Sequence, residues 1–142
     1  MDWDESQYGL GLEEMDGTHR EFVALVCALQ TADADNFVLL FQQLLEHTKL
    51  HFVEEGRLMR LYKFPALGEH EGEHHRVYGD LLQFNRNVKN GRLALARAYV
   101  KDGLSEWFKL HIGSMDAALA AHILRCQQSE FEIEGLIQIG GT

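Results

Sequence analysis

The chain has 142 residues, 46% of them hydrophobic and 25% charged, with a formal net charge of −9 and a single proline, Pro65. That length is one ordinary domain, able to bury roughly 68–70% of its unfolded surface without staples. So acidic a chain lacks the clustered Lys and Arg needed to hold a nucleic-acid backbone or an anionic membrane surface, and its composition excludes a disordered tail protein.

Residues 1–15 read as an extended N-terminal arm anchored by Trp3, Tyr8, Leu10 and Leu12. The acidic start, Met1-Asp2-Trp3-Asp4-Glu5, has neither the basic nor the apolar stretch of a secretory leader. No apolar run is long enough to span a bilayer. Cys27 and Cys126 make no disulfide framework, so reduced thiols and a cytoplasmic location are expected. Asp16 is positioned to cap a helix over 17–31, whose apolar spacing runs through Phe22, Val23, Val26 and Leu29. Asp35 can cap a second helix over about 36–62, with Phe37, Leu40, Phe41, Leu44, Leu45, Phe52 and Met59 inward. Pro65 fits the first turn of a third helix, which Asn90-Gly91 stops. A fourth helix runs over about 93–112, including Leu95, Tyr99, Leu104, Trp107 and Phe108, and Gly113-Ser114 interrupts it. A further helical stretch covers Asp116 to Gln127. The tail, 128–142, alternates loosely and reads as a strand-like strap or a disordered end. The whole predicts one all-α domain over 1–142, an up-down-up-down four-helix bundle with short connections.

Each predicted helix carries at least one imidazole. His19 lies near the start of the first. His51 and Glu55 are four apart on the second, and His70 and His74 four apart on the third, so each pair shares a helix face. His111 and Asp116 are five apart, about 140° out of phase on an unbroken helix, so the break at Gly113-Ser114 is required to bring them together. Five histidines and two carboxylates are too many for one tetrahedral zinc. They suit two six-coordinate ions, with Glu55 and Asp116 bridging and the imidazoles divided three and two. The two-histidine ion then keeps one open position for a small ligand.

The composite resembles the hemerythrin family, specifically the bacterial single-domain type, over about residues 3–122. The resemblance rests on Trp3, Asp16-Gly17-Thr18-His19, His51-Phe52-Val53-Glu54-Glu55 with Met59, Phe64-Pro65 followed by His70 and His74, and Trp107 with His111-Ile112 and Asp116. It implies a centre of two iron ions that binds dioxygen reversibly and admits small anions such as azide. His70, His74 and His111 would hold one ion, His19 and His51 the open one, with Glu55 and Asp116 bridging. Trp107 and Phe108 would line the ligand pocket. The resemblance implies carriage, storage or delivery rather than turnover, so the chain is not expected to be an enzyme. The same centre could instead serve oxygen or redox sensing, or nitric-oxide or peroxide chemistry. The oligomeric state is left open, with a monomer compatible.

Several residues depart from the family pattern. Thr18 stands where Gln is usual, Gly56 where a second Glu is frequent, and Phe108 where a smaller Leu is common. His47 stands where an aromatic such as Tyr is frequent, and is either a partner of the site or a tolerated polar residue. His75 and His122 fit no ligand position. Two other chemistries have motif support. His70-Glu71-Gly72-Glu73-His74 satisfies the zinc-protease pattern His-Glu-x-x-His, and Glu71-x-x-His74 gives half of a ferritin-type carboxylate site. The first leaves the other five candidate ligands without a purpose, and the second lacks a correctly placed second copy.

Overall fold

The computed structural model describes the backbone of residues 2–140 and the side chains of residues 2–135. Among these the elements are helical: α1 (Glu5–Tyr8), α2 (Glu13–Thr31), α3 (Ala34–Leu61), α4 (Leu67–Lys89), and a final rod. The rod strings together α5 (Ala94–Ala98), a π-helical turn π1 (Tyr99–Leu104), α6 (Ser105–His111), a second π-turn π2 (Ile112–Asp116) and α7 (Ala117–Gly140). Helix α2 packs on α3, α3 on α4, and the rod closes the ring against α4 and α2. The result is the expected four-helix bundle.

Capping explains the boundaries. Asp33, not Asp35, caps α3: its carboxylate accepts from the Asn36 amide at 2.9 Å. The third helix starts at Leu67, two residues after Pro65, because Lys63 (φ 51°) turns the chain just before it. The stop at Asn90-Gly91 is as expected. Gly91 takes φ 76°, a left-handed conformation that glycine adopts without strain, and the Arg92 amide returns to Asn87 O at 2.9 Å. The N-terminal arm is not wholly extended. It contains α1, whose cap Asp4 accepts from the Ser6 amide. Helix α2 begins at Glu13, with Leu12 in the cap position, so Asp16 is not its cap. Asp16 is instead buried, and its carboxylate accepts the amides of Leu10 (2.9 Å) and Gly11 (3.2 Å), fastening the arm to the bundle.

The tail is neither a strap nor an irregular end over the described residues: α7 continues through it to Gly140. From Gln127 to Glu134 its side chains are exposed. Leu95, expected inside, is also exposed, and Ala96, Val100, Leu104 and Phe108 face the core. Spaced by four, these residues would drift around an α-helix. The wider turn π1 returns them to one face.

The core has two parts. The larger gathers Phe22, Phe37, Phe41, Leu44, Leu81 and Phe108 with their neighbours. The smaller joins Met15, Leu58, Met59, Leu119, Ala120 and Ile123. Phe37 and Phe41 are fully buried, and truncating either to Ala would cost about 3–5 kcal/mol.

Candidate metal centre

All seven residues singled out from the sequence converge inside the bundle. His19 comes from α2, His51 and Glu55 from α3, His70 and His74 from α4, His111 from the end of α6, and Asp116 from the end of π2. None is more than 7% exposed. Their ligand atoms form two overlapping groups, each within 4.8 Å: Glu55, His70, His74, His111 and Asp116, and His19, His51, Glu55 and Asp116.

The carboxylates divide their oxygens between the groups. Glu55 Oε1 lies 3.1 Å from His70 Nε2 and 3.2 Å from His74 Nε2, whereas its Oε2 lies 2.5 Å from His51 Nε2 and 3.6 Å from His19 Nε2. Asp116 Oδ1 lies 3.1 Å from the Nε2 atoms of His70 and His111, and its Oδ2 lies 3.1 Å from His19 Nε2. Both carboxylates therefore span from a three-imidazole set to a two-imidazole set.

The local geometry of the rod makes this possible. Gly113-Ser114 does not break the helix. The backbone stays helical through π2, whose wider turn takes up the extra residue between His111 and Asp116.

Several observations show that this donor set fits metal ions. The Nε2 atoms of His74 and His111 face each other at 3.3 Å, an approach that suits two lone pairs converging on a cation. Both Asp116 oxygens and His19 Nε2 are buried without a hydrogen bond of good geometry, a costly state for polar atoms in a core. Nitrogen and oxygen donors in this ratio suit first-row transition ions.

Without metal, protons fill the same role. Burial opposes charge on His19 and His70, but the hydrogen bonds and charges of Asp116 and Glu55 outweigh it and raise both to about 9. Burial also opposes charge on Glu55, yet the charge of His51 and the hydrogen bonds of His19, His51 and His70 hold its carboxyl well below the usual range. Asp116 is likewise lowered: the ring nitrogens of His111, His19 and His70, each 3.1 Å from one of its oxygens, outweigh both burial and the nearby Glu55 charge. His74 is shifted the other way, its burial favouring the neutral ring.

The surrounding shell is aromatic. Phe108 is 1% exposed, its ring edge-on to His19 at 5.5 Å and stacked on Phe22 at 4.5 Å. It walls the two-imidazole side. Trp107 takes a different place: it stacks on His111 at 4.6 Å, and its indole N–H donates to Glu73 Oε1 at 2.7 Å. It backs a histidine of the three-imidazole set. His47 belongs to neither set. Its Nε2 lies 3.2 Å from Thr18 O and its Nδ1 3.6 Å from Glu21, pinning α3 to α2. His75 is exposed, and His122 Nε2 lies 2.6 Å from Tyr62 O, both away from the cluster.

Sequence reasoning gives two neighbours of the site no role there. Phe52 lies flat on His74, with ring centres 3.8 Å apart and 3° between planes. Glu73 receives the Trp107 N–H. Both residues sit immediately beside a predicted ligand in the chain; Phe52 also lies on the inward stripe of its helix, whereas for Glu73 adjacency is the only signal.

The geometry removes the two motif-based alternatives. Glu71 points outward and pairs with Arg60 at 2.5 Å. It can neither activate a water held by His70 and His74 nor act as a ferritin-type ligand.

The chain is similar to known proteins over most of its length. The hemerythrin HHE cation-binding domain matches residues 10–123. A bacteriohemerythrin of Ralstonia nicotianae is 34% identical over 116 residues, covering 82% of this chain and 83% of its own length. Wild-type hemerythrin superposes with a TM-score of 0.78 at 18% identity, over 85% of this chain and 95% of its own. A leucine-to-alanine hemerythrin mutant superposes at 0.79, with 17% identity, over 86% and 95%. At these identities the structural likeness concerns the fold.

Proposed function

The chain belongs to the hemerythrin family, and on that premise we propose that it binds dioxygen reversibly at a pair of iron ions, for carriage, storage or delivery. The observation that carries the reading is the division of the Glu55 and Asp116 oxygens between a three-imidazole and a two-imidazole set. Bound iron would supply the electrons that hold dioxygen. His70, His74 and His111 would hold one ion, His19 and His51 the other, and the two carboxylates would bridge.

The remaining work belongs to the protein. Seven buried donors from five elements fix the two positions before any ligand arrives. The unequal division of imidazoles leaves the His19–His51 side one donor short, and a small ligand completes it there. Phe108 and Phe22 keep that side apolar, which disfavours water and the release of a charged, reduced oxygen species. The excess of imidazole over carboxylate favours the lower oxidation state, and with it binding rather than turnover.

The test is metal analysis with optical spectra on protein reduced without oxygen and then exposed to air. Two irons per chain and a visible band that disappears when oxygen is removed support the reading. Two irons without a reversible oxygenated form would instead favour sensing or redox chemistry at the same centre. One zinc and no iron would overturn it.

A further inference from the structure

We propose that the groove between α3 and α4 docks a reduced flavin of the mononucleotide class, which returns electrons to the buried centre. The groove holds about 330 Å³, within the range of small-ligand sites and large enough for a planar three-ring system. Half-buried Phe52 and buried Gly56 and His74 line its inner side, and the exposed Lys49, Val53 and Arg60 line its outer edge.

Three features select the occupant. The first is charge. On a chain with a net charge of −9, this groove presents two cations. Lys49 has no acidic partner among the described residues, and Arg60 shares its charge with Glu71. An anion such as a phosphate is the complementary group. The second is Gly56. A Cβ there would lie 2.9 Å from Arg60 Nη1 and 3.1 Å from Glu71 Oε1. Glycine lets this ion pair pass close over the α3 backbone and close one end of the groove.

The third is the route inward. Phe52 and His74 are stacked in parallel at 3.8 Å, and His74 belongs to the three-imidazole set. An aromatic ring resting on Phe52 is two stacked rings from the centre. A second pocket, of about 220 Å³, reaches His70, but Glu69 lines it and no lysine or arginine does.

The electron balance is simple. A reduced flavin anion gives up two electrons and one proton and leaves as oxidised flavin. Each electron reduces one ferric ion to ferrous, and the proton goes to solvent. This electron-transfer half rests on the iron reading above, whereas the binding half does not.

The test titrates flavin mononucleotide fluorescence with the full chain, both metal-free and metal-loaded. Saturable quenching is expected in both forms. Val53→Trp, which fills the groove from an exposed position, should abolish it. Lys49→Glu with Arg60→Glu should weaken it by roughly tenfold or more. Metal content should stay unchanged in all of these variants. In anaerobic stopped flow, Val53→Trp should slow reduction of the ferric protein by reduced flavin by about the same factor. No quenching by the wild type, or equal quenching by Val53→Trp, would overturn the site. Groove binding in a chain that holds no iron would overturn the electron-transfer half together with the function proposed above.

Discussion

Asp116 follows His111 by five residues, yet its Oδ1 lies 3.1 Å from His111 Nε2. The π-turn Ile112–Asp116 produces this contact, because it absorbs one residue that an α-helix would have spent rotating Asp116 away. Deleting Gly113 should therefore be tolerated. The site is exposed, and nothing lies within 4 Å of where a Cβ would stand. The turn would tighten to an α-turn, leaving Asp116 four residues from His111 on the same face. Inserting one Ala after Ser114 should do the opposite and swing Asp116 about 100° off the cluster. Metal content of the two variants is the measurement. A deletion variant that loses metal, or an insertion variant that keeps it all, would refute the π-turn's role.

Glu55 offers one oxygen to each imidazole set, so its loss should be felt on both sides. Glu55→Ala is expected to retain at most one metal ion per chain. Two ions retained, at the wild-type ratio by elemental analysis, would count against bridging. The adjacent carboxylate cannot stand in for it, because Glu54 is tied to Arg57 at 2.7 Å on the outside of α3.

How much of this is legible in the sequence differs by residue. His51 with Glu55 and His70 with His74 are readable because i,i+4 spacing places each pair on one face whatever the tertiary structure does. Their convergence follows from the bundle. The way Asp116 joins them is not readable: a glycine-serine pair signals a break as readily as a π-turn, and only the packed rod decides. Capping is ambiguous for a related reason. Asp16 and Asp35 both have the right chemistry for a cap, but Asp16 serves the amides of Leu10 and Gly11 from inside the helix, and Asp33 reaches Asn36 first. The family resemblance puts Trp107 in the ligand pocket. Its indole N–H donates across from α6 to Glu73 on α4, and a contact 34 residues apart leaves no local trace.

The metal-free protein should lose stability as pH rises. His19 and His70 are raised from 6.5 to about 9, so their contribution is complete below pH 6.5 and disappears as pH climbs through 9. Glu55 is shifted the other way, and its contribution is lost when pH falls below the ordinary carboxylate range. In the metal-loaded protein the imidazoles are neutral ligands, so the alkaline loss should vanish. Melting temperatures between about pH 6 and 10, with and without metal, check this. Parallel curves would show that the two histidines do not carry the protons assigned to them.

Phe108 should set how fast a small ligand reaches the His19–His51 side. Its ring meets His19 edge-on at 5.5 Å and is held by its stack on Phe22 at 4.5 Å, so it cannot swing aside without disturbing the core. Phe108→Ala removes the wall but leaves a cavity at a cost of about 3–5 kcal/mol. Phe108→Leu keeps most of the volume at less cost, while withdrawing the aromatic edge from His19. Both variants should bind azide faster than the wild type in stopped flow, the Ala variant more so, with metal content unchanged. Equal rates in all three proteins would show that the ligand reaches the open side by a path that Phe108 does not border.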